Sequence, residues 1–234
     1  MMTLSPLLTQ TLPQWYRRLL AVPLPPQCIA CGVYLAPTQP PGLCPACYGP
    51  RRAFDLAQQP ALQDWLKASP IKDFRAAWLY DEVCSGLVSR LKFHDASELA
   101  TPLARVLLPA WQGLVTAVPQ PQLVPVPLHP SRLRERRYNQ AALLAKRLSQ
   151  LTGAPWWPEG LRRQRPTPHQ TGQSRATRLR QLAGAFRANP QLAGQHVVLL
   201  DDVFTTGSTA LACARALQRG GVASVRVLTL AYVE

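Results

Sequence analysis

The sequence predicts an α/β domain built on a central parallel sheet, with a small cysteine-bound module ahead of it. Three observations predict this. Val197–Leu200 is a short unbroken apolar run that opens with two β-branched residues, the pattern of a strand buried on both faces. From Phe74 onward, short apolar runs alternate with segments of helical periodicity, as βα units do. Cys28-x-x-Cys31 and Cys44-x-x-Cys47 lie close together, at the spacing of metal ligands.

The chain has 234 residues, enough for one α/β domain and a small module, and its 47% hydrophobic content can fill a core without staples. Its 26 basic residues outnumber 12 acidic ones, for a formal charge of +14. Such an excess points to an anionic partner, nucleic acid or polyphosphate, without choosing between them. No apolar stretch reaches membrane-spanning length. Residues 1–24 read as an amphipathic segment, with a short helix over Leu12–Ala21 ended by Pro23 and Pro25-Pro26. Arg17 and Arg18 follow its apolar part, the reverse of an export signal. The six cysteines are therefore expected in a reducing, cytoplasmic compartment.

Residues 25–52 form the cysteine module. Each CxxC pair makes a tight knuckle, and Cys28, Cys31, Cys44 and Cys47 together offer four thiolates to one ion. A closed tetrahedral shell leaves no open position, so the expected cofactor is a structural zinc ion. Residues 53–72 read as a connector with a short helix at Ala61–Lys67. Cys84 and Cys213 stand alone and read as small buried apolar residues.

Residues 73–234 make the main domain. Ala76–Tyr80 reads as a strand, Val83–Phe93 as a helix with Leu87, Val88 and Leu91 inward, and Glu98–Trp111 as a second helix. Lys92 ends the first helix, where it suits a ligand phosphate and the helix dipole equally. Leu123–Val126 is the next strand, and Pro125 limits its pairing. Leu128–Arg137 reads as a loop dense in cations: His129, Arg132, Arg134, Arg136 and Arg137. Tyr138–Leu151 follows as a helix. Short strands around Gly160–Arg163 and Gly184–Arg187 bracket a second basic segment, whose Gly172 and small polar residues suit mobility. Trp156-Trp157 fits a base-stacking platform or, more commonly, a plug at a core edge. Ala223–Tyr232 is the last strand.

The run from Asp201 to Thr209 carries the chemistry. Asp201 and Asp202 end the Val197–Leu200 strand, on the edge where open α/β sheets bind ligands. A helix opens near Ser208 and stops at Gly220-Gly221. Free amides at its start can cradle a phosphate, and Gly207 lets the backbone approach or take positive φ. Thr205, Thr206, Ser208 and Thr209 add hydroxyl donors. Neighbouring strand residues point to opposite faces, so the two acids have different jobs. One can accept hydrogen bonds from vicinal ribose hydroxyls, directly or through Mg²⁺, while the other braces the loop or a metal-bound water. These residues read as a sugar-phosphate site.

Asp201-Asp202-Val203-Phe204-Thr205-Thr206-Gly207-Ser208-Thr209 resembles the phosphoribosyl pyrophosphate (PRPP) motif of type I phosphoribosyltransferases. The paired cysteines, Val126–Arg132 with Arg136–Gln140, and Gln170–Arg175 with Gly184-Ala185-Phe186 resemble, more narrowly, the ComF family of competence-associated proteins. The resemblance implies an α/β fold with a type I phosphoribosyltransferase-like core and a four-cysteine zinc module. It implies PRPP with Mg²⁺ as ligand, and a pyrophosphate site at His129, Arg132 and Lys92. It implies a mobile hood carrying Thr171, Gly172, Arg175 and Arg178. In that family Gly usually stands where this chain has Arg137. The implied role is in DNA uptake, competence or DNA utilisation, with single-stranded DNA and a DNA-translocation helicase or uptake channel as partners. A non-catalytic single-stranded nucleic-acid binder and a nucleobase-salvage phosphoribosyltransferase remain alternatives.

Overall fold

The computed structural model describes residues 25–36, 42–48, 52–93, 97–116, 118–165 and 175–234. The amphipathic segment 1–24 lies outside them.

The module comes first, with one short helix, α1 (Pro45–Tyr48), after the second cysteine knuckle. Helix α2 (Pro60–Lys67) begins with Pro at its first position, where a missing N–H costs nothing. Strand β1 (Ile71–Leu79) starts five residues earlier than its apolar pattern suggested. Helix α3 (Glu82–Phe93) follows. The helix expected over Glu98–Trp111 is divided. A 3₁₀ turn at Ser97–Leu99 leads into α4 (Ala100–Val106), and α5 (Leu108–Val115) continues after a break at Leu107. Pro109 explains the break, because its ring crowds the carbonyl four residues back and it donates no hydrogen bond.

Strand β2 (Gln122–Pro125) lies at a sheet edge, which is why Pro125 is tolerated in it. Part of the cationic loop is helical, contrary to expectation: α6 (Pro130–Arg136) is capped by His129, whose Nδ1 faces the Ser131 amide at 3.3 Å. Helix α7 (Gln140–Thr152) is capped by Asn139 and ended by Gly153. Strand β3 (Leu161–Arg163), helix α8 (Arg175–Leu182) and strand β4 (Phe186–Ala188) follow, with β3 and β4 paired antiparallel. Strand β5 (His196–Phe204), helix α9 (Ser208–Arg219) and strand β6 (Ser224–Tyr232) complete the order.

The main sheet runs β1-β6-β5-β2, with every neighbouring pair parallel. Both faces are covered. Leu62, Phe74, Val197, Leu199 and Leu217 fill one layer, and Leu91, Leu103, Leu144, Val198, Leu200 and Leu228 fill the other. Trp156 and Trp157 pack against these two layers as edge plugs. All four strands point the same way, so the loops after β2 and β5 meet at one edge.

Arg137 closes α6 in the left-handed region, at φ 65°. Glycine adopts that conformation without strain, whereas an L side chain pays roughly 1–2 kcal/mol. Arg137→Gly is therefore expected to stabilise the fold by about 0.5–1 kcal/mol, after allowance for the looser unfolded chain. A thermal melt checks this, and a lowered midpoint would refute it.

Candidate functional site

Strand β5 presents its side chains alternately. Val197 and Leu199 pack on the layer that holds Cys213 of α9, and Asp201 continues that row. Val198 and Leu200 pack on the layer of α3 and α7, and Asp202 continues this one. The expected asymmetry of the acids follows from this alternation. Asp202, 5% exposed, has donors on both oxygens. Its Oδ1 accepts the Val203 amide at 2.7 Å. Its Oδ2 faces Lys92 Nζ at 2.9 Å and accepts Gln140 Nε2 at 3.0 Å. Asp202 is thus the brace. Asp201 accepts the Asp202 amide at 2.9 Å. Burial, and after it the Asp202 charge, push the Asp201 carboxyl up to about 7. Its negative charge is poorly compensated, which favours an incoming hydroxyl donor or cation.

After β5 the chain turns through Thr205, Thr206 and Gly207 into α9. Gly207 takes φ 72° and precedes a 12-residue helix. The Thr206 and Ser208 hydroxyls lie 2.9 Å apart, and the Ser208 amide faces Thr206 Oγ1 at 3.4 Å. The first amides of α9 and its positive dipole end lie at this turn, an arrangement chemically suited to an anion. Val203 and Phe204 are packing residues, and Phe204 sits against Phe74 at 4.6 Å and Trp65 at 5.3 Å. A Cβ at position 207 would come within 2.6 Å of Phe204 Cζ and 2.8 Å of Trp65 Cζ2. Trp65 therefore shapes the turn from the segment read as a connector. Nothing local in the sequence marks it for that task.

The cations gather on the same edge. Lys92 reaches Asp202 from the last turn of α3. Arg132 and Arg136 lie on α6, a short helix following β2. Burial, followed by repulsion from Arg132, holds the Arg136 guanidinium below its ordinary range, and Asp202 and Glu135 oppose this. Arg163 on β3 lies over the Phe186 ring, 5.5 Å from its centroid. Burial depresses it as well, and it shares electrostatic contact with Cys213, Arg132 and Asp201. His129 Nδ1 is engaged with Ser131 Oγ at 2.8 Å, so this nitrogen serves the α6 cap. Of the hood residues, Arg175 opens α8 and Arg178 lies within it, while Thr171 and Gly172 fall outside the described residues.

Tyr138, Asn139 and Gln140 fasten this edge. The Tyr138 hydroxyl donates to the Leu91 carbonyl at 2.7 Å. Asn139 Nδ2 donates to the Val126 carbonyl at 2.9 Å, and its Oδ1 caps α7. Gln140 holds Asp202. Three consecutive side chains join the ends of α3, β2 and β5. Sequence reasoning assigned these three residues no such tasks.

In the module, the four sulfurs of Cys28, Cys31, Cys44 and Cys47 lie within 4.8 Å of one another. Tetrahedral zinc with Zn–S bonds of about 2.3 Å needs sulfurs about 3.8 Å apart, and Cys31 and Cys44 stand 3.8 Å apart. The Cys44 amide faces Cys28 Sγ at 3.3 Å. Burial raises the Cys28 thiol, but backbone amides of Cys31, Cys44 and Ala30 outweigh it and bring it down to about 6. Burial, with the neighbouring thiols Cys31, Cys44 and Cys28, pushes Cys47 up to about 12. The cluster can hold a metal ion such as zinc. None of the six cysteines is joined to another by a disulfide. Among the described residues, no helix is long and apolar enough to cross a membrane.

A phosphoribosyl transferase domain model matches residues 140–234. The DNA utilization protein YhgH of Salmonella typhi is 37% identical over 194 residues, spanning 80% of this chain and 83% of that protein. Competence protein F of Haemophilus influenzae is 33% identical over 159 residues, spanning 65% and 69%. Competence protein ComFC of Bacillus subtilis is 27% identical over 172 residues, spanning 68% and 64%. With its four-cysteine module, parallel sheet and acid-to-hydroxyl turn, the chain belongs to the ComF family, within the type I phosphoribosyltransferase superfamily.

Proposed function

We propose that this protein binds PRPP at the carboxyl edge of its sheet and acts in DNA utilisation or competence. The observation that carries the reading is the turn Thr205–Gly207, which feeds a left-handed glycine into a 12-residue helix directly after the acid-ended strand β5. In this reading the amides and hydroxyls of Thr205 to Thr209 hold the 5-phosphate. Asp201 accepts the ribose hydroxyls. Arg132 and Lys92 receive the pyrophosphate, His129 fixes the helix that carries Arg132, and Arg175 and Arg178 close from α8. Magnesium carried in with PRPP would offset the pyrophosphate charge, and Asp201 is the carboxylate that could meet it. If an acceptor enters, its nucleophilic atom bonds to the anomeric carbon as the bond to pyrophosphate breaks and pyrophosphate leaves with the electron pair, and the protein contributes position and electrostatics. The cysteine cluster holds a structural zinc ion, in keeping with a reducing cytoplasm.

Calorimetry with PRPP and Mg²⁺ is the test. Asp201→Asn combined with Asp202→Asn is expected to weaken binding by at least about a hundredfold, as the charge-assisted ribose contacts of Asp201 and the bracing by Asp202 are lost together. Because Asp202 is the buried partner of Lys92, Asp201→Asn alone is the fold control and should melt within about 5 °C of wild type. Undiminished affinity would sink the assignment.

A second reading places single-stranded DNA on the same cations. The +14 charge and the names of the relatives favour it, and a DNA-translocation helicase or uptake channel is the protein partner such a role would call for. A steep loss of oligonucleotide affinity with rising salt would support it. Competition between oligonucleotide and PRPP tells whether one site serves both.

A further inference from the structure

We infer that Gln140 is a positioning residue whose task is to let Lys92 leave Asp202 for an anionic ligand. The inference rests on the PRPP reading of the same site. Lys92 and Gln140 share one oxygen, Asp202 Oδ2, at 2.9 and 3.0 Å. Their circumstances differ. Lys92 ends α3 with its side chain 23% exposed, so its ammonium borders the open edge of the sheet. Gln140 is 4% exposed, neutral, and fixed in the first turn of α7.

A buried carboxylate with one strong cationic partner would keep that partner, because its departure leaves an uncompensated charge. Asp202 does not depend on Lys92 alone. If the ammonium is drawn toward a phosphate, Gln140 Nε2 and the Val203 amide still donate to the two oxygens. The positive end of the 13-residue α7 lies at the same residue. No anionic ligand can draw off the Gln140 donor, since it carries no charge and almost no exposed surface.

The cost of this arrangement is visible. Gln140 Oε1 is buried without a hydrogen-bond partner. Turned over, the amide would put that oxygen against a carboxylate, so Asp202 dictates the orientation. The neighbouring residues hold the geometry. Tyr138 ties down the Leu91 carbonyl, one residue before Lys92, and Asn139 ties down the Val126 carbonyl. Lys92 can therefore swing at its tip while the backbone that bears it stays in place.

A double-mutant cycle on ligand affinity tests this. Calorimetry would measure binding of PRPP with Mg²⁺, and of inorganic pyrophosphate, to wild type, Lys92→Met, Gln140→Met and the double variant. Each single change is expected to weaken PRPP binding about tenfold. The double variant should be at most about threefold weaker than the weaker single variant, because without Gln140 the lysine is held by Asp202 and already lost to the ligand. Pyrophosphate should show the same coupling without a ribose. Losses that multiply to about a hundredfold would overturn the inference while the PRPP reading of the site stands. If wild type binds neither probe, the PRPP reading fails and takes the inference with it. Should Gln140→Met not fold, Gln140→Glu carries the test, since a second carboxylate would capture Lys92. The same tenfold loss is expected there, and unchanged affinity overturns the idea.

Discussion

Gly207→Ala is expected to abolish PRPP binding and to lower the melting temperature by roughly 5–15 °C. Two penalties combine. Position 207 sits at φ 72°, which costs an L side chain roughly 1–2 kcal/mol. The added methyl also meets two rings, Phe204 Cζ at 2.6 Å and Trp65 Cζ2 at 2.8 Å. Neither ring can yield easily, because Phe204 is wedged between Phe74 and Trp65 and also neighbours Tyr232. Such overpacking adds roughly 1–3 kcal/mol. Any relief must come from the turn itself, which would shift the amides away from the phosphate. Affinity is then expected to fall by more than about a hundredfold, since positioning is what the turn supplies. Gly194→Ala is the control. Gly194 also has positive φ, at 73°, but its Cβ would meet nothing within 4 Å. It should cost only the conformational part and leave PRPP affinity unchanged. Equal effects from the two substitutions would show that the aromatic wall over the turn is irrelevant.

What the sequence revealed and what it hid separate along the range of the interactions. The alternation of β5 and the hydroxyl turn are local, so the opposed directions of Asp201 and Asp202 could be read directly. The short strands β3 and β4 emerged close to their expected places for the same reason. Helix α6 was misread as loop because seven residues with three arginines show no apolar stripe. The signal was present in His129-Pro130-Ser131, a capping side chain before a proline at the first helical position. Pro109 likewise announced the break between α4 and α5. Other features had no local signature. Gln140 meets Asp202 across 62 residues, and Trp65 reaches Gly207 from a different segment. Such contacts depend on how the layers stack, which hydrophobic periodicity leaves open. Arg137 is a third kind of case. The family resemblance marked it as a departure from Gly, and only the backbone explained why Gly belongs there.

Cys28→Ser together with Cys44→Ser is expected to release the metal and unfold the module while the parallel sheet survives. Metal analysis should show about one zinc per wild-type chain and almost none in the variant. Cys28 and Cys44 are the two buried sulfurs of the four, and with Leu35 they form the module's own small core. Among the described residues that core is small, so under the zinc reading metal binding, worth on the order of 10 kcal/mol in small modules, supplies much of the module's folding free energy. The main domain has two full apolar layers of its own. The two parts meet at a definite seam. Ile29, Ala30 and Leu43 pack on the layer of α3 and α5, Arg90 donates to the Ile29 carbonyl, and Tyr48 sits edge-on to Trp78 at 6.4 Å. Loss of zinc should therefore uncover Trp78 and red-shift the tryptophan emission. PRPP affinity should remain within about threefold of wild type, because the turn, the acids and the triplet Tyr138–Gln140 are all held from within the sheet domain. If removing zinc instead erased PRPP binding, the seam at Arg90 would be controlling Lys92, two residues further along the same helix, and the module would be part of the ligand site.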